Sequence, residues 1–255
     1  MESFKLTKVS VYHYVRLVVR VLIFLVLLYH YVFHKIIEGV DVFESPMIKE
    51  IAIIVIFIMF IIEMILRFFP NVLESPGCQK QFKRNYVKTG KTNIVIEDNH
   101  GVMLVALVWI GLNCVFGLLY RFKLFDDGIM ILIASFYSIC DLICILFFCP
   151  FQTWFLHNKC CATCRIYNWD YAMMFTPLFF INKWYGWVLF GLAFALMLRW
   201  EITFYNFPER FSEETNGYLG CANCKERLCV HKKQLNSFRK KLTDIKRKKI
   251  KDLEL

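Results

Sequence analysis

Residues 128–149 read GIMILIASFYSICDLICILFFC, 22 residues with a single charged side chain, Asp141. A helix needs about 20 apolar residues to cross roughly 30 Å of hydrocarbon. This stretch therefore reads as a membrane span. Residues 17–37, 48–69 and 102–120 repeat the pattern. A fifth apolar region, 171–200, is longer and broken. Pro177 interrupts its first part, and Asn182-Lys183 separates that part from residues 184–200. It fits one tilted span after an interfacial segment, a re-entrant segment or a short helical hairpin.

Composition agrees. Hydrophobic residues make up 58% of the 255 and charged residues 20%, with a mean hydropathy of +0.47. Soluble domains are about 45–50% apolar even when glycine is counted. A water-soluble single domain, a collagen-like chain and a disordered chain are all excluded. The first apolar stretch is too long for the h-region of a signal peptide and no small-x-small site follows it, so it reads as a retained span. The chain has no internal repeat and no low-complexity segment.

Charge gives an orientation. Short loops rich in Lys and Arg stay in the cytoplasm. The N-terminal region carries Lys5, Lys8, Arg16 and Arg20, and the loop at about 70–101 carries Lys80, Lys83, Arg84, Lys88 and Lys91. The loop between the first two spans carries Glu38, Asp41 and Glu44. Residues 231–255 hold ten basic and three acidic residues and supply +7 of the formal net charge of +10. The expected topology is a multi-pass cell-membrane protein with the N-terminus, the 150–170 loop and the tail in the cytoplasm. The 171–200 region then enters and leaves on one side, or crosses twice. Residues 1–205 form the transmembrane domain and 206–255 a cysteine-containing, basic tail.

The 11 cysteines are the most specific feature. Cys114, Cys140, Cys144 and Cys149 lie in or at the end of spans, where small apolar packing explains them. Cys160, Cys161 and Cys164 form one loop cluster with a Cys-x-x-Cys pair. Cys221, Cys224, Cys229 and His231 form a second. A Cys-x-x-Cys turn aims two sulfurs at one point, and two such pairs, or one pair with Cys and His, complete a tetrahedral zinc set. Four thiolates also suit an iron–sulfur cluster. The ligands expected for zinc or an iron–sulfur centre are thus Cys160, Cys161, Cys164, Cys221, Cys224, Cys229 and His231. A redox dithiol and inert free thiols are the alternatives, and a disulfide fits only if the tail faces outside.

Ionisable residues in hydrocarbon are functional candidates by default. Asp141 lies midway along the fourth span, beside Cys140 and Cys144. Glu63 precedes Arg67 by four residues and reads as an i,i+4 ion pair on one helix face. His30 and His34 share a face of the first helix at the same spacing, one that can ligate a metal or contact haem. Arg165–Asp170 mixes charge, amide and indole between the first cysteine cluster and the broken region. Most tryptophans fall near span ends, as an interfacial belt.

In the tail, Leu235, Phe238, Leu242 and Ile245 make one apolar stripe on a basic helix, suited to anionic lipid headgroups or a protein partner. Nucleic acid is not expected. Phosphate-loop, nucleophile-elbow and zincin motifs are absent. The sequence therefore reads as an all-α polytopic bundle of four clear spans, a broken fifth or sixth segment and a basic tail helix. Three functions follow: a membrane metalloprotein, a small transporter or channel in which Asp141, Glu63 and Asn113 line the pathway, or a scaffold recruiting a partner through its tail.

Overall fold

A computed structural model describes residues 7–33, 48–96, 99–158 and 160–221. His34, Cys224, Cys229, His231 and the basic tail stripe lie outside the described residues. The helices are α1 (Lys8–Tyr31), α2 (Ile48–Arg67), the short α3 (Pro76–Gln79), α4 (Asn99–Arg121), α5 (Asp127–Leu146), α6 (Asp170–Phe179) and α7 (Trp184–Asn206). Among the described residues there is no strand, only an isolated bridge between Lys88 and Asn216. Helices α1, α4, α5 and α7 are long and apolar enough to cross a membrane. Helix α2, at 20 residues, matches them in length.

Local signals set the helix ends. Thr7 caps α1 by accepting from the Ser10 N–H, and Asp126 caps α5 by accepting from Ile129. The start of α1 corrects the sequence reading. The helix begins at Lys8, so Arg16 and Arg20, counted by charge with the N-terminal flank, lie well inside it and are buried. The broken region resolves into α6 and α7. Pro177 lies in the last turn of α6, where its missing N–H and ring weaken the bonding of that turn to the one before it. The two helices then pack antiparallel: Trp169 meets Glu201, and Leu178 meets Gly186. A Cβ at Gly186 would sit 2.5 Å from the Leu178 carbonyl oxygen, so only glycine allows that approach.

Helices α1 and α5 are also antiparallel: Tyr14 packs on Phe147, Arg20 reaches Asp141, and Tyr31 donates to Asp126. The start of α1, the α2–α4 loop, the α5–α6 connection and residues 207–221 consequently gather at one end of the bundle. Lys80 binds carbonyls at 162 and 164 there, and Arg210 binds the Gln81 carbonyl. Gly217 and Val87 join the last described segment to the α2–α4 loop.

The distribution of polarity is inverted relative to a soluble protein. Val18, Leu22, Val55, Leu107, Val115 and Leu198 face outward, while Arg16, Arg20, Glu63, Arg67 and Asn113 are buried. Apolar exteriors of this extent mark lipid or protein contact surfaces.

Candidate functional site

Two adjoining regions hold the chemistry. The first is a buried charge cluster where α1, α2, α5 and α6 meet. Arg16 and Arg20, one turn apart on α1, both turn toward α2. Glu63 accepts from Arg16 Nε (3.0 Å) and Nη2 (2.6 Å), from Arg20 Nη2 (2.8 Å) and from the Tyr171 hydroxyl (2.8 Å). Arg20 also donates to the Ser138 carbonyl (2.8 Å) and to Asp141 Oδ2 (3.2 Å). Asp141 is therefore paired.

One turn further along α2, Arg67 donates to Asp170 Oδ2 (2.5 Å) and Asn168 Oδ1 (3.3 Å) and lies 3.6 Å from Glu74. The i,i+4 ion pair expected between Glu63 and Arg67 is not formed. Both side chains share the inward face, as the spacing required, but about 6 Å of rise separates them. At each depth another helix offers a nearer partner: α1 to Glu63, α6 to Arg67. Charges this deep remain ionised only with partners, and each carboxylate here has a guanidinium, while Arg16 Nη1, Arg20 Nε and Arg67 Nη2 have no hydrogen-bond partner among the described residues.

Toward the end of the bundle the network continues through the segment singled out at 165–170. Arg165 grips Glu201 with both Nη atoms, and Trp169 Nε1 donates to the same carboxylate at 2.6 Å. Trp200 Nε1 donates to the Arg165 carbonyl at 2.7 Å. Lys80, fully buried, donates to the Ala162 and Cys164 carbonyls at 2.9 Å each and lies 5.3 Å from the Trp200 and Phe211 ring centres. By sequence Lys80 is a loop charge. The structure makes it the clamp that holds the first cysteine cluster. Beside it Cys78 is buried, and burial together with the Glu74 carboxylate pushes its thiol well above the ordinary 9.0.

The second region is a cavity of about 290 Å³ between α4, α5, α6 and the cysteine loop. Helix α4 packs on α6 and on the π-type turn Phe151–Phe155, and the gap on its α5 side forms the cavity. Its walls are mostly apolar and carry five thiols: Cys140, Cys144, Cys149, Cys161 and Cys164. Asp141 and Asp170 form its charged edge, shared with the cluster.

The thiols are linked. Cys144 and Cys149 are in hydrogen-bonding contact. The Gln152 N–H donates to Cys149 Sγ at 3.4 Å, while Gln152 Oε1 accepts from Cys161 Sγ at 3.9 Å. A β-turn closes the Cys-x-x-Cys pair, with the Cys164 N–H donating to the Cys161 carbonyl at 3.2 Å.

Of the seven expected metal ligands, Cys160, Cys161, Cys164 and Cys221 are described. Cys160 and Cys161 are half-buried, Cys164 is buried and Cys221 is exposed, all at the same end of the bundle. Among the described residues no three His, Cys, Asp or Glu side chains form a metal-sized group. His30 sits half-buried in the last turn of α1. Of the three polar residues expected along a transport path, Asp141 lines the cavity. Glu63 is enclosed by its arginines, and Asn113 is turned to the Trp109 carbonyl of its own helix.

Sequence reasoning missed Arg16, Arg20, Asp170, Tyr171 and Lys80 as interior groups. The signal for the first two was present. Their i,i+4 spacing between apolar residues repeats the Glu63/Arg67 spacing on α2. No protein-family model, curated protein or solved structure matches this chain.

Proposed function

We propose that the chain is a multi-pass membrane protein that takes a bilayer-soluble, largely apolar ligand into the α4–α5–α6 cavity and holds it against the thiols. The observation that carries this is the cavity itself: about 290 Å³, apolar-walled, with five thiols on one lining. Ligand sites are typically apolar clefts with a few placed polar groups, from roughly 300 Å³ upward. The cavity sits at the bottom of that range. Four lipid-length helices and an apolar exterior support placement in a cell membrane. The gathering of the basic α2–α4 loop, the cysteine loop and residues 207–221 at one end favours that end in the cytoplasm.

Photolabelling tests the reading. A small apolar diazirine probe partitioned into membranes should mark Leu112, Tyr137 or Met173, and Leu112→Trp, which fills the space, should abolish that labelling. Labelling spread evenly over outward-facing residues, unchanged by Leu112→Trp, would contradict it.

A metal centre at the cysteine loop is the second reading. Its support is the Ala162 N–H, which donates to Cys160 Sγ at 3.4 Å, a contact that stabilises a thiolate ligand. Zinc or an iron–sulfur cluster would draw further ligands from Cys161, Cys164, Cys221, Cys224, Cys229 and His231. Elemental analysis and visible absorbance of protein purified without oxygen test it. The reading predicts stoichiometric zinc, or iron with absorbance near 400 nm. Folded, metal-free, colourless protein removes it.

A further inference from the structure

The cavity contains more than thiols. The Trp109 indole nitrogen and the Tyr137 hydroxyl are both buried, and neither has a hydrogen-bond partner among the described residues. Both residues line the cavity, on α4 and α5 respectively. A buried donor left unpaired is costly, and a ligand in the cavity can supply acceptors to these two on its wall. Trp109, Phe136, Tyr137, Phe151 and Tyr167 also give the cavity aromatic surface. The ligand these features describe is flat, apolar and bears acceptor oxygens.

We propose that the cavity binds a bilayer-borne quinone, its carbonyl oxygens accepting from Trp109 and Tyr137, and that the Cys144–Cys149 dithiol beside it is oxidised by that quinone. The proposal rests on the cavity reading above and adds the ligand class and the reaction. In the step, the two S–H bonds break and one S–S bond forms between Cys144 and Cys149. The two electrons and two protons released convert the two ring carbonyls to hydroxyls, giving a hydroquinone. Nothing else is consumed.

The contact between the two thiols places them for this. The second dithiol, Cys161/Cys164, is linked to Cys149 through Gln152. The turn that closes it holds its α-carbons within the range a disulfide spans. Thiol–disulfide exchange can therefore return the Cys144–Cys149 pair to the dithiol while Cys161 and Cys164 become the disulfide, with electrons conserved. That pair lies at the end of the bundle where the other polar loops gather, so the relay runs from the aqueous side to the cavity.

The test uses the full chain, reduced and freed of reductant, in lipid nanodiscs without oxygen, with a short-chain benzoquinone as the probe. Quinone absorbance should fall, and Cys144 and Cys149 should become protected from alkylation until a reductant is added. Cys144→Ser and Cys149→Ser, close in size to the native side chains, should each abolish quinone loss. Cys114→Ser, on the exposed side of α4, should leave the rate unchanged. Trp109→Phe and Tyr137→Phe should each raise the quinone concentration at half-maximal rate about tenfold.

If the quinone is not reduced and both thiols stay alkylatable while the diazirine probe still labels the cavity, the redox proposal is overturned and the cavity reading survives. If the cavity is not labelled either, both fail. Quinone loss that persists in both serine variants also overturns the assignment to this pair.

Discussion

The two halves of the interior solve opposite problems with the same helix. Helix α6 presents Tyr171 and Asp170 to the charge cluster, while Met173 and Met174 line the cavity. On the cluster side every carboxylate is matched to a guanidinium at hydrogen-bonding distance or near it. On the cavity side the walls are apolar and thiol-lined, buried donors lack partners, and space remains. The cluster behaves as structure, because its charges are paired and buried. The cavity behaves as a site, because it leaves room for a ligand beside its thiols. Asp141 and Asp170 belong to both, so the cluster also fixes the cavity's charged edge.

Substitutions that remove one carboxylate from the cluster and one from the network at the end of the bundle weigh how much each holds. The largest effect is expected for Glu63→Gln, which leaves Arg16 and Arg20 short of a carboxylate at a dry site. Breaking a buried ion pair from one side typically costs about 3–5 kcal/mol. Thermal unfolding in detergent should show that loss, and a stability equal to wild type would mean that water reaches the cluster. Glu201→Gln is expected to be milder, about 1.5–3 kcal/mol, because it weakens charge-assisted bonds from Arg165 and Trp169 at a more exposed carboxylate. It should also loosen the cysteine loop, seen as faster alkylation of Cys161. An unchanged alkylation rate would show that Lys80 and Trp200 hold that loop without Glu201.

The smallest effect concerns Cys78. Its thiol is held protonated in the folded protein above its ordinary value of 9.0. The group thus contributes fully below that pH, and its contribution is lost as pH rises through and beyond it, when the unfolded chain ionises first. Stability should fall more steeply above about pH 9 in wild type than in Cys78→Ala. Equal slopes would place Cys78 in contact with water.

Much of this was legible in the sequence. The apolar lengths gave the helices, Pro177 and Asn182-Lys183 gave the break between α6 and α7, and Asp141 and Glu63 stood out as charges among apolar residues. What was not legible was pairing. Arg16 and Arg20 sit near the chain's basic N-terminal region, and a rule that counts flanking charge treats them as loop residues. Only the packing of α1 against α2 and α5 shows that they face inward. Lys80 was obscured in the same way, since its carbonyl partners lie more than 80 residues away. The cysteines were legible as a set but not as an arrangement. Two clusters read from spacing suggested metal, whereas the folded chain also brings Cys140, Cys144 and Cys149 from α5 and its end to the wall that holds Cys161 and Cys164.

The claim that the cavity is a ligand site is tested most directly by native mass spectrometry of the protein released from its own membranes, wild type beside Leu112→Trp. The account predicts a single tightly held small molecule on wild type that is absent from the filled variant, with both proteins folded. Identical spectra, each showing only loosely bound bulk lipid, would contradict it.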